Sequence, residues 1–209
     1  MLYKTLFDPA NADTDGLADG LTGAGPWDSA DFETTDVPDG LAHRLNLTSG
    51  DDLDEIDITI TGLDADGREI SEVVTGPDNG TVETTKYFKS ISAVAADATL
   101  GANTLDIGWV DEFVSPTIPL DWRRNVPSRW FADQTGTITW SIDFAIEEPA
   151  FVEQAAMNWL NPNSSLAAET ADSTAFQEVG PGYTAARLRV ASYTDTAELL
   201  VYAVQPEVA

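Results

Sequence analysis

The chain contains no cysteine. That removes disulfide staples, thiolate metal sites and thiol nucleophiles together. Histidine occurs once, at His43, so the base that most activated nucleophiles need has a single candidate. Positive charge is scarce too: ten lysines and arginines stand against 36 acids, a formal net charge of −26. A field of that sign repels phosphate and argues against a nucleic-acid binder. No apolar run approaches the roughly 18 residues of a membrane-spanning helix. The opening Met1 to Asp8 lacks a long apolar region and a small-residue cleavage site, so no secretory signal is expected.

What is present is enough apolar material to fold. Hydrophobic residues make up 43% of the 209, which supports a buried core and excludes wholesale disorder. Lysine is confined to Lys4, Lys86 and Lys89, whereas acids are scattered along the whole chain. Dispersed carboxylates keep a surface hydrated and copies apart, at the cost of self-repulsion that salt screens. A saline habitat or a basic partner accounts for this; we favour the first.

Patterning divides the chain into four stretches. Residues 1–40 are rich in Asp, Gly, Ala and Pro, carry turn dipeptides at Asp15-Gly16, Asp19-Gly20 and Asp39-Gly40, and read as an extended N-terminal arm. Residues 41–114 form a first β unit. Within it Ile56, Ile58 and Ile60 alternate with acids and threonines, the turn residues 62–67 follow, and Arg68 to Thr75 resumes as a strand, which predicts a hairpin. A segment rich in Thr, Val and aromatics, Thr81 to Val94, reads as one long strand or two short ones. Residues 115–134 open with Ser115-Pro116-Thr117-Ile118-Pro119, whose two prolines mark a connection. Residues 135–209 form a second β unit. Its strongest strand puts Ile138, Trp140, Ile142 and Phe144 on one face, and Ala185 to Ala191 with Ala197 to Val204 read as a closing hairpin. Short helices are expected at most, within 150–160 and 164–171. The fold class expected is all-β: two antiparallel, jelly-roll-like β-sandwich units behind an extended arm.

The block Thr61-Gly62-Leu63-Asp64-Ala65-Asp66-Gly67-Arg68-Glu69-Ile70-Ser71-Glu72, the turn Gly76-Pro77 and the strand Thr84-Thr85-Lys86-Tyr87-Phe88 resemble a β-rich unit in virion structural proteins of tailed bacteriophages. Pro119-Leu120-Asp121, Thr135 to Pro149 and Ala186 to Ser192 are similar to later segments of the same small virion proteins. The resemblance implies a head-decoration, cement or other capsid- or tail-associated protein without catalytic residues.

His43, between Ala42 and Arg44 and without a Gly-x-Ser-x-Gly elbow anywhere, reads as a partly exposed edge-strand residue and not as a base. No placement singles out two of the 36 acids as a hydrolytic pair. Asn11, Asp13, Asp15 and Asp19, with Gly16 between, offer oxygens like the start of a calcium loop, but Thr22 stands where the closing glutamate belongs. A solvated acidic turn outweighs that metal reading, so no cofactor is expected and calcium is the secondary reading. The basic segment Trp122-Arg123-Arg124-Asn125-Val126-Pro127-Ser128-Arg129-Trp130 places three of the ten positive charges between two tryptophans. It reads as a partner-binding anchor or as an internal loop of Arg on Trp. Trp27 and Trp159, in loop-like surroundings, are read as surface anchors, and Trp140 as core.

The expected function is non-enzymatic: a structural component of a tailed-virus particle, a head decoration or cement protein binding the major capsid protein or other virion proteins. The expected localisation is the virion, and a homo-oligomer, trimeric by preference, suits the role. Neck or tail placement in the same virion is one alternative and a carbohydrate-binding sandwich another.

Overall fold

The computed structural model describes residues 2–121, 123, 126–173 and 175–205. The protein is all-β and antiparallel, of the β-sandwich class. In chain order the strands are β1 (Leu2–Phe7), β2 (Asp13–Gly23), β3 (Trp27–Asp28), β4 (Ala42–Asp52), β5 (Asp57–Leu63), β6 (Glu69–Thr75), β7 (Asp78–Phe88), β8 (Ser90–Ala96), β9 (Gly101–Val114), β10 (Ile118–Pro119), β11 (Ser128–Thr135), β12 (Ile138–Ala145), β13 (Gln177–Val179), β14 (Ala185–Tyr193) and β15 (Glu198–Val204). They divide into two compact units, Ala10–Phe113 and Met1–Pro9 with Val114–Ala209.

In the unit Ala10–Phe113, β2, β9, β4 and β7 lie side by side, and β3, β8, β5 and β6 form the other layer. The predicted hairpin is β5 with β6, paired from Asp57↔Thr75 to Leu63↔Glu69. Its turn closes because Asp64 Oδ1 accepts the N–H groups of Asp66 and Arg68, both at 2.9 Å, while Gly67 takes φ +76°, a left-handed value that favours glycine. The Thr81 to Val94 segment breaks at Lys89: β7 pairs with β4, while β8 changes layer to pair with β5. Leu17, Leu21, Leu45, Leu47, Phe88, Leu105 and Ile107 from one layer meet Trp27, Ile58, Ile60, Ile70, Ile91 and Val94 from the other in one core. Alternation of side chains across each strand sets this division.

In the other unit, β1, β15, β11 and β13 form one layer and β10, β14 and β12 the second. Ile138, Trp140, Ile142 and Phe144 of β12 are all buried, as their alternation predicts. Trp130 of β11 meets Phe144 edge-on, centroids 5.4 Å apart. The opposite face of β12 holds a buried ion cluster: Asp143 lies 3.6 Å from Arg187 Nε and 3.2 Å from Arg189 Nε, and the Arg187 guanidinium lies 4.3 Å from the centre of the Trp159 ring. The polar excursion after β12 forms two 3-10 turns, Gln154–Ala156 and Ser164–Leu166, and bridges back to β12 at Phe144↔Leu160 and Trp140↔Glu169.

Three sequence expectations change. Residues 1–40 do not stand apart as an arm: β1 pairs with β15, and β2 pairs with β9 through a ladder whose register shifts three times. Polar, glycine-rich segments of this kind carry little periodicity of their own, so only the long-range partner reveals the strand. Residues 115–134 are likewise not a free connection, since β10 pairs with β14 and β11 with β15. The closing hairpin does not form. β14 pairs with β12 and β15 with β1 and β11, and the link through 194–197 carries the chain from one layer to the other.

Candidate docking face

Period-two alternation divides the β1, β15, β11, β13 layer into a buried and an outward face. Phe7, Leu199, Val201, Ala203, Trp130, Ala132 and Val179 are buried. The strand register lines up the outward residues in three rows: Leu2, Val204 and Arg129; Lys4, Tyr202 and Phe131; Leu6, Leu200 and Asp133. Phe176, just before β13, adds a third ring whose centroid is 5.5 Å from that of Phe131, with Tyr202 6.1 Å from Phe131 on the other side. The outward face is therefore largely apolar and aromatic. Leu2 is 74% exposed, Leu6 55% and Phe176 51%.

A cleft of about 300 Å³ lies between Phe131, Asp133, Phe176 and Tyr202, and a smaller one of about 180 Å³ between Arg129, Phe176 and Val204. Charge is arranged around them. Lys4 Nζ sits 5.2 Å from the centre of the Tyr202 ring. Arg129 reaches Glu178 at 3.3 Å, and since both side chains are more than half exposed the pair contributes only about 0–1 kcal/mol. The guanidinium and the ammonium thus flank one end and the middle of the face, and Asp133 the other end.

The residues singled out from sequence are scattered relative to this face. Arg129 is on it. Trp130, next in the chain, points inward, is fully buried and donates its indole N–H to Ser128 Oγ at 2.8 Å. Arg123 is exposed, and its backbone N–H donates to Asp121 at 3.3 Å. Trp122 and Arg124 lie outside the described residues. Trp27 is buried in the core of the other unit, with its indole N–H donated to the Thr22 carbonyl at 3.2 Å, so neither Trp27 nor Trp130 serves as an exposed anchor. A large indole next to a turn reads as surface in sequence, but the layer it closes is invisible there.

The calcium-like stretch is β2 and its approach. The Asn11 carbonyl accepts the Trp109 indole N–H at 2.8 Å, and Gly16 lies where a Cβ would stand 2.5 Å from the Trp109 ring. Gly16 therefore leaves room for the Trp109 ring. Asp13 Oδ1 accepts the Asp15 N–H at 3.3 Å. Hydrogen bonding to Asp13, with burial and the charges of Asp13 and Asp19, pushes the Asp15 carboxyl above its ordinary value. Among the described residues no three His, Cys, Asp or Glu side chains group as metal ligands.

His43 is not at an edge. β4 lies between β9 and β7, and the ring is fully buried, with Nδ1 3.0 Å from the Val110 carbonyl and Nε2 2.9 Å from Asp39 Oδ2. Asp52, Asp54 and Glu55 line a cleft with Leu53 and Ile56, and the Asp52 charge leads in raising the Asp54 carboxyl.

Phe131, Phe176, Tyr202, Leu2 and Leu6 were not singled out from sequence. One signal was available: β11 carries apolar residues on both faces, Trp130 and Ala132 inward and Phe131 outward. No family model matches the chain, and no curated protein matches it either.

Proposed function

We propose that the chain is a non-enzymatic structural component that works by attachment, as a head decoration or cement protein of a tailed-virus particle. The observation that carries this is the exposed apolar and aromatic face of the β1, β15, β11, β13 layer on a chain of net charge −26. Contiguous apolar surface on an otherwise highly charged protein marks a protein-binding site. The acids around it keep the remaining surface hydrated and prevent indiscriminate sticking. Rigid sandwich units that present such a face suit a shell component, where many modest contacts add through effective concentration. The resemblance of the hairpin block to virion proteins supplies the particle.

The test is quantitative mass spectrometry of purified particles from a host that makes this chain. Hundreds of copies per particle are expected for a head coat. A dozen or fewer would move the protein to neck or tail, and absence from particles would overturn the reading. A second reading, carbohydrate binding, rests on the aromatic cleft of Phe131, Phe176 and Tyr202 with Asp133 at its rim. Glycan-array binding lost in Phe176→Ala is its signature.

A further inference from the structure

The outward face of the β1, β15, β11, β13 layer is self-complementary, and we infer that its occupant is a second copy of this chain, packed face to face about a twofold axis. The inference rests on reading this face as a docking surface, and it names the partner.

The argument comes from the order of the three rows. Leu2, Val204 and Arg129 form one end, Lys4, Tyr202 and Phe131 the middle, and Leu6, Leu200 and Asp133 the other end. A twofold axis that crosses the strands at the middle row sets each strand against its own copy, running the opposite way. Leu2 then meets the second copy's Leu6, and Val204 meets its Leu200. Phe131 and Tyr202 meet their own equivalents. Arg129 meets Asp133, and by symmetry Asp133 meets Arg129. Every apolar position faces an apolar one and the two opposite charges of β11 pair twice, which is the condition an isologous interface must satisfy. Lys4 lies opposite itself on β1, the last strand of the layer, so its ammonium, 5.2 Å from the centre of the Tyr202 ring in the single chain, turns outward past the sheet edge to water when the pair forms.

A partner with a uniformly charged surface fits less well. The face carries Lys4 and Arg129 together with Asp133 and Glu178, so it is close to neutral where the chain as a whole is strongly negative. It attracts neither a basic nor an acidic surface strongly. A near-neutral apolar face is what two copies of an acidic protein need in order to approach at all.

Size sets the strength. Four strands about 4.8 Å apart and six residues at about 3.3 Å each give a face of roughly 20 by 20 Å. That is about half the roughly 800 Å² per partner of a standard stable interface, so the isolated pair is weak, with a dissociation constant on the order of 10–100 µM. Screening of the repulsion between two such acidic chains makes association tighten as salt rises.

The test is sedimentation velocity of the purified full chain from about 5 µM to 1 mM in 0.15 M and 2 M NaCl. A monomer–dimer equilibrium that tightens with salt is expected. Arg129→Asp and Asp133→Arg should each weaken it about tenfold, and the double variant should restore it to within about threefold of the wild type. Phe176→Ser with Leu6→Ser should abolish it, with melting curves as the folding control. Because the chain has no cysteine, Lys4→Cys should cross-link to itself with a short bis-maleimide, and that readout does not depend on the charge variants. A monomer throughout, a trimer, or a dimer indifferent to the exchange of Arg129 and Asp133 would overturn the inference. Each of these outcomes is read without particles, so particle attachment is tested separately.

Discussion

Asp39 is bound by three donors or ring atoms at once. Its Oδ2 accepts the Ala10 N–H at 2.7 Å and lies 2.9 Å from His43 Nε2, and its Oδ1 accepts the Leu41 N–H at 2.8 Å. Burial penalises the charged carboxylate, but the hydrogen bond and charge of His43 and the two N–H groups together hold its pKa below the ordinary value. A lowered folded pKa means that the stabilisation is present above the unfolded value and is lost as pH falls through the folded one. The window therefore lies below about pH 4. Asp39→Asn should cost about 2 kcal/mol at pH 7 in urea denaturation, because a charged acceptor is lost beside buried donors. The same variant should lose less stability than wild type between pH 5 and pH 2; an equal acid loss would show that other carboxylates set the acid limit. His43 was legible as the sole histidine but its burial was not, because its contact with Val110 spans 67 residues of sequence. The outward phenylalanines were hidden for a related reason: β11 carries apolar residues on both faces, but which of the two faces is covered depends on partners distant in sequence.

Legibility at the level of strands followed periodicity. β5 and β12 carry clean alternation and formed where expected, whereas β2, with the sequence Asp13 to Gly23, has just three apolar side chains, Leu17, Ala18 and Leu21, all buried. Its irregular ladder is completed by side chains: Asp111 accepts the Ala12 N–H at 2.8 Å and Asp106 the Gly20 N–H at 2.7 Å, so acids of β9 supply acceptors where the two backbones separate. Where they come together, Gly108 is required. A Cβ there would stand 1.9 Å from the Asp13 carbonyl oxygen, and backbone cannot swing aside as a flexible side chain would. Gly108→Ala should destabilise the protein by about 2–3 kcal/mol. Hydrogen exchange should quicken first in residues 13–23; uniform acceleration over the unit would mean that β2 is not a separable element. β14 and β15 show the limit of local reading. Each alternates well, yet nothing within them says that they belong to different layers.

Over the whole molecule, charge dominates. With 36 acids and ten bases, the folded state works against its own repulsion, and several carboxyls are already held above their ordinary values by neighbouring acids or burial, among them Asp15, Asp54 and Asp64. The melting temperature should rise steadily from 0.05 M to 2 M NaCl, by several degrees in calorimetry. A flat profile would remove the saline explanation of the composition. Fold class was legible at this scale because alternation and turn residues recur throughout. The membership of Leu2–Phe7 in the later unit was not, since that strand joins the distant Glu198–Val204 and carries no local sign of doing so.

That pairing bears on how the protein is made. The unit Ala10–Phe113 is an insertion in sequence between the two pieces of the other. On a ribosome adding about 5–20 residues each second, β1 emerges roughly 10–40 s before the strand that will hold it. Through that interval Leu2, Tyr3, Leu6 and Phe7 have no β15 to pair with, although every residue of the inserted unit has been made by about its midpoint. Closure of the discontinuous unit thus waits until β15 has been made, and nascent chains shortened before Glu198 should retain the inserted sandwich and lack the other.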